Sequence, residues 1–309
     1  AARWSSLFSN SVTVNVNAGF TALGSGILGQ TGYTEGTVPY SSLVSALSSN
    51  PHQSADDKSA VAQLQAYSSI SMLTNRTADN PNGAGSATPY LDNNGDGNNT
   101  TVWMTSADAK ALGFLDSRDP LIDADITFSS NYQWDFDPTN GITPGYYDFV
   151  GVATHELGHA LGFVSGVDVL DYDAANGVYP TSGTFPYVSP LDLFRFSDLS
   201  VAQGSGVIDF TADTRNKYFS LDGGRTKIAG FSTGVYFGDG RQASHWKDSM
   251  GLGIMDPTAG AGELLSVSSN DTRALDVIGW NPVPEPATFL LCGIGLAVLL
   301  SRRFLSKVR

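Results

Sequence analysis

The residues in this 309-residue chain best suited to chemistry sit in one short run, His155-Glu156-Leu157-Gly158-His159. On a helix, residues four apart leave the same face one turn apart, so both imidazoles reach a common point. Two nitrogens placed in this way bind one zinc ion at about 2.0–2.1 Å each. Glu156 is adjacent to the first of them and reaches a metal-bound water. Zinc lowers the pKa of that water towards ~7, and Glu156 takes its proton as the oxygen attacks a peptide carbonyl. The chain has only four His and four Glu (Glu35, Glu156, Glu263, Glu285). A chance match to this spacing is expected on the order of once in two thousand such chains. A helix that merely happens to carry two histidines is therefore the weaker explanation.

The run must be held on a helix, and the surrounding residues specify one. Asp148 is a good N-cap for a helix over 149–163. Its apolar face would be Phe149, Val152, Ala153, Leu157, Ala160, Leu161 and Val164. Ahead of it, residues 123–128 alternate with period two and read as a strand, as do residues 12–16. Helices are expected over 41–47, 56–67, 105–112 (capped by Thr105 or Ser106) and 270–278, with Leu275 and Ile278 facing inward. Residues 79–101 and most of 164–262 read as loop, and there is no internal repeat.

Two histidines leave a catalytic zinc short of its usual three protein ligands. Gly162 follows His159 by three residues, giving His-Glu-Leu-Gly-His-Ala-Leu-Gly. This segment resembles the metzincin clan of zinc metallopeptidases, where that glycine turns the chain so that a third ligand can approach. In the usual metzincin pattern the third ligand lies three residues past the glycine. Here that residue is Ser165, a poor zinc ligand. The remaining histidines are His52, in an Asn-Pro-His-Gln turn and expected to be exposed, and His245. His245-Trp246 precedes Ile254-Met255-Asp256-Pro257, an order similar to leishmanolysin-type metzincins, which carry a long insertion before a His-Trp segment and a Met-turn. The resemblance spans roughly residues 123–280 on few motifs. It implies that His245 is the third ligand and that Met255 packs beneath the metal without ligating it. Asp168, six residues past Gly162, is the alternative third ligand; its carboxylate is chemically acceptable, but its spacing suits the clan less well.

The resemblance implies an α+β, zincin/metzincin-like fold of two lobes around an active-site cleft. Residues 1–163 would hold a twisted sheet, a backing helix and the zinc helix. Residues 164–281 would supply the third ligand, the Met-turn and a closing helix. The strand before the zinc helix borders the cleft in that clan and pairs with extended substrate, which makes residues 123–128 the candidate; a plain core strand is the competing assignment. The expected activity is zinc-dependent endopeptidase hydrolysis of extracellular proteins, with Glu156 as the general base. The alternative from another class is a non-catalytic surface or matrix-binding protein on the same scaffold.

Calcium is a secondary cofactor candidate. Asp92-Asn93-Asn94-Gly95-Asp96-Gly97 resembles the start of a calcium loop, with oxygen donors at positions 1, 3 and 5. Position 12 is Trp103 instead of a bidentate Glu, so a solvated turn is the simpler expectation. Trp134-Asp135-Phe136-Asp137 could shape either the cleft or a loop ion site.

Composition sets outer bounds. Net charge is -13, which argues against binding nucleic acid or an anionic membrane through bulk charge. Hydrophobic residues make up 41%, enough for a sizeable core. The single cysteine, Cys292, excludes an internal disulfide. The chain begins at Ala1 instead of Met, as expected if a signal peptide has been removed. Near the other end, Pro284-Glu285-Pro286 leads into an uncharged run over 287–300 and then Arg302, Arg303, Lys307 and Arg309. Fourteen helical residues span roughly 21 Å, short of a ~30 Å hydrocarbon core; the prolines and the basic tip nevertheless favour a short membrane helix over a buried one, with the tip in the cytoplasm. This ending resembles the PEP-CTERM sorting signal of Gram-negative bacteria. It implies export to the cell surface or medium, transient anchoring in the inner membrane over 282–309, and processing by exosortase-type machinery.

Overall fold

A computed structural model describes residues 1–185 and 187–284, without the side chain of Gln65. Its architecture is mixed α+β with several small sheets. The strand and helix expected just before and across the His-Glu run form as Ala124–Ser129 and Phe149–Ala160. Asp148 caps that helix, its Oδ1 accepting from the Gly151 N–H at 2.7 Å. Ala124, Ile126 and Phe128, the alternate residues of the strand, are buried against Val152 and Ala160 of the helix. Period two on the strand and 3.6 on the helix thus share one interface.

Ala124–Ser129 is the central strand of its sheet. Val16–Thr21 pairs with it in parallel and Gly29–Tyr33 antiparallel, so both of its edges are occupied. The expectation that residues 123–128 border the cleft is therefore corrected. The strand exposed towards the His-Glu helix is Gly29–Tyr33, four of whose residues line the cleft. The strand expected over 12–16 begins only at Val16. Ahead of it the backbone is held by side chains and a loop: Lys110 Nζ donates to Thr13 O, Thr13 N–H to Ser117 O, and Asn15 N–H to Asp123 Oδ2. Lys110 and Asp123 themselves form a fully buried pair at 2.7 Å. Val12 and Val14 pack on the main core without pairing.

The expected helices form as Tyr40–Ser49, Ala55–Gln65, Ser106–Ala111 and Ser269–Asp276, with Thr105 as the cap of the third. Leu275 and Ile278 are fully buried, as the spacing requires. The stretch 79–101 is less irregular than expected. It holds the strand Tyr90–Asp92 and a helical turn, Gly97–Thr100. The stretch 164–262 likewise contains the helices Val167–Ala175 and Asp198–Gln203 and an antiparallel sheet of Arg195–Phe196, Lys217–Phe219 and Ala229–Phe231. Met72–Thr74 pairs with Tyr90–Asp92 on one side and with Ile208–Phe210 on the other, so one sheet crosses the lobe boundary expected at 163/164. The main core also runs from Trp4 to Trp280.

No helix among the described residues is long and apolar enough to cross a membrane. The apolar run over 287–300 and Cys292 lie outside the described residues.

One buried clasp ties the closing helix to the rest. Ser54 Oγ donates to Asp276 Oδ2 at 2.7 Å, and Asp57 lies against the same carboxyl. Burial, then the charge of Asp57, pushes the Asp276 carboxyl up to about 8. The folded chain keeps a proton that the unfolded chain releases, so this group's contribution is complete at acid pH and is lost as pH rises from about 4 to about 8. Asp276→Asn keeps a neutral, hydrogen-bonding group. It is expected to raise the thermal midpoint at pH 8 by about 4 °C and to leave it unchanged at pH 3.5. Equal pH dependence in calorimetric scans of the two proteins would refute the assignment.

Candidate metal centre

His155 and His159 leave the same face of the Phe149–Ala160 helix, and their Nε2 atoms lie 3.1 Å apart. The helix ends in a turn at Gly162, where φ is +111°, a left-handed value that disfavours any residue with a Cβ. From there the chain runs more than eighty residues before His245 returns, with its Nε2 3.2 Å from that of His155. The three rings form the only cluster of three or more His, Cys, Asp or Glu among the described residues that could hold a metal ion.

The hydrogen bonding of the rings prepares them for a cation. Nδ1 of His155 donates to Ile254 O, that of His159 to Phe163 O and that of His245 to Gln242 O. A carbonyl only accepts, so each Nδ1 carries a proton, and in a neutral ring so bonded Nε2 presents the lone pair. Burial, then the neighbouring His155, pushes His159 down to about 3. Burial, then His159 and His155, lowers His245 well below the ordinary imidazole range. Lone pairs so close repel one another unless a cation lies between them. Tetrahedral ligands at 2.0–2.1 Å from zinc are about 3.3–3.4 Å apart, close to the spacings found. The donor set therefore fits zinc on geometry and on charge.

His245 is carried by an aromatic anchor. Trp246 is fully buried, stacked on Phe231 at 5.0 Å and edge-on to Phe163 at 4.9 Å. Burying an indole of this size contributes on the order of 5 kcal/mol, which holds the segment beside the end of the His-Glu helix. Met255 is fully buried with its Sδ against Gly158, the residue just before His159 on the helix. Asp271, which no motif singles out, ties these parts together. It accepts from Trp246 Nε1, Ile254 N–H and Met255 N–H. Its one signal in the sequence is its place as the third residue after the cap Ser268.

Asp168 lies away from the cluster. Its carboxylate accepts from the N–H groups of Ala243 and Ser244 and from the Ser244 hydroxyl. It thus braces the segment just before His245. Ser165 is buried and donates to Asp192 Oδ1. His52 is exposed.

Glu156, next to His155 on the helix, points towards the strand Gly29–Tyr33. Thr31 Oγ1 donates to its Oε2 at 2.7 Å, and a side chain at Gly29 would overlap the Glu156 carboxylate. Burial raises the Glu156 carboxyl, with His155 and the Thr31 bond opposing. Both the strand residues and the three histidines line a cleft of about 1250 Å³. Drug-sized ligand pockets occupy about 300–1,000 Å³, so this groove has room for a longer chain. Neither Gly29 nor Thr31 belongs to a motif, and the strand that carries them has no strong alternation.

The PEP-CTERM protein-sorting motif matches residues 282–303. That motif is recognised by exosortase sorting machinery and directs export to the Gram-negative cell envelope or surface. No curated protein and no solved structure matches the chain.

Proposed function

We propose that this chain is an exported zinc-dependent endopeptidase of metzincin-like fold. The observation that carries it is the convergence of three imidazole Nε2 atoms beside a buried, oriented glutamate in an open cleft. His155, His159 and His245 would hold the ion. Zinc supplies a Lewis acid for the scissile carbonyl and makes water a better nucleophile at neutral pH.

The chain's own residues supply the rest. The open edge of Gly29–Tyr33 offers backbone N–H and C=O groups to an extended peptide, a general recognition mode that needs no particular side chain. Glu156 takes a proton from the attacking water and delivers it to the departing amine. Thr31 holds one carboxylate oxygen, Oε2, and so fixes the orientation of the group. A surface-binding protein would have no need of a carboxylate clasped in this way. Zinc content measured together with casein cleavage, with and without chelator, tests the proposal. A chain that binds no zinc, or cleaves casein equally well in chelator, would overturn it.

Thr31→Val removes a hydrogen bond to a charged acceptor, worth about 1.5–3 kcal/mol. It is expected to lower kcat roughly tenfold or more at nearly constant KM, while Thr31→Ser retains most activity. Equal losses in the two variants would deny Thr31 this positioning role.

A further inference from the structure

The loop over residues 92–98 exposes Asn93, Asn94 and Gly95 as a solvated turn would, but its two ends are buried. Asp92 and Asn98 are 3% and 4% exposed, and Asn99 is fully buried. Asn99 braces the loop from within, accepting from the Gly95 N–H and donating to Ile70 O. A second segment closes over it. Gly183 sits against the Asp96 carboxylate, and the neighbouring Ser182 is bonded to Asp79.

Two buried oxygens in this loop have no partner, Asn98 Oδ1 and Asp96 Oδ1. Each is an acceptor withdrawn from water, an arrangement that costs about 1–3 kcal/mol apiece. Their positions point to a shared ligand. Asn98 Nδ2 donates to Asp92 Oδ2 at 2.7 Å, and an amide's oxygen lies about 2.2 Å from its nitrogen. The Asn98 amide therefore lies against the Asp92 carboxylate, with its orphan oxygen within about 5 Å of Oδ2. Asp96, whose other oxygen accepts from Asn94, is close enough to Asp92 to raise its pKa. Two carboxylates and an amide oxygen, without nitrogen or sulfur, form a hard-cation donor set.

We propose that the 92–98 loop is a calcium site, with side-chain oxygens of Asp92, Asp96 and Asn98 as its protein ligands. Asn98 supplies an oxygen on the loop itself, in place of the acid that Trp103 replaces at position 12. Irregular oxygen ligation at a variable count suits calcium, whereas magnesium demands near-ideal octahedral geometry. The bound ion would neutralise the Asp92–Asp96 repulsion and lock the 79–101 stretch against Ser182. The site shares no residue with the histidine cluster and does not depend on it.

The test is calcium titration of the full chain by calorimetry, with thermal midpoints in CaCl2 and MgCl2. Wild type is expected to bind one calcium with a Kd on the order of 10⁻⁴ M. At 5 mM CaCl2 its midpoint should rise by about 4 °C, with a smaller rise in MgCl2. Asp96→Asn should weaken calcium at least about tenfold, whereas Asn98→Asp, which adds a charged ligand, should tighten it. No binding by wild type, an equal response to magnesium, or wild-type affinity in either variant overturns the proposal.

Discussion

Glu156→Gln is expected to retain a full equivalent of zinc and to lose casein cleavage by about 10²–10⁴-fold. The substitution preserves shape and leaves an oxygen to accept the Thr31 hydroxyl bond, so the fold and the three imidazoles remain in place. Only the capacity to take up and release a proton disappears. Zinc by atomic absorption and cleavage of labelled casein measure the two quantities separately. Activity near wild type would remove Glu156 from the chemistry. Loss of both zinc and activity would show that its role is to support the site. The side chain is buried and bonded to Thr31, so a structural contribution would register in the zinc content.

The second large effect concerns the distant histidine. His245→Ala removes one of three converging nitrogens and leaves the other two on their helix. Zinc affinity should fall by more than about 100-fold, since substitutions one shell further out already cost 10–100-fold. Asp168→Asn provides the contrast. Asp168 holds the backbone of Ala243 and Ser244, so its loss should loosen His245 and weaken zinc by about tenfold without abolishing it. The reverse order in a competition titration with a zinc chelator, Asp168→Asn worse than His245→Ala, would assign the third ligand to Asp168.

Much of the site is legible in the sequence because its parts are local. Two histidines at i and i+4 need only a helix, and Asp148 with its apolar face specifies that helix. Thr105 as a cap and the closing helix with Leu275 and Ile278 inward are legible for the same reason, since caps and 3.6-residue periodicity act over one or two turns. The departures have a common physical cause. Residues 12–15 alternate like a strand, yet their backbone groups are taken by Lys110, Ser117 and Asp123, which lie far away in sequence. Residues 123–128 have the alternation of a strand, and only the resemblance put that strand at the cleft; a strand's position in its sheet depends on which strands join it, and that is not a property of its own residues. The 92–98 loop has the polar composition of a solvated turn; the packing of Gly183 against Asp96 and Gly97 comes from a segment far away in sequence.

The sequence by itself determined the chemistry on offer: two imidazoles and a carboxylate on one helix, a glycine to turn the chain after them, and a sorting tail. Periodicity and side-chain type are enough for that, because each acts within a few residues. Tertiary structure alone decided which distant groups meet them. The burial of Trp246 and the brace at Asp271 bring His245 to the cluster across more than eighty residues. The edge strand Gly29–Tyr33, which carries no motif, turns out to hold Glu156. Such meetings depend on the packing of the whole core, and no local pattern encodes them.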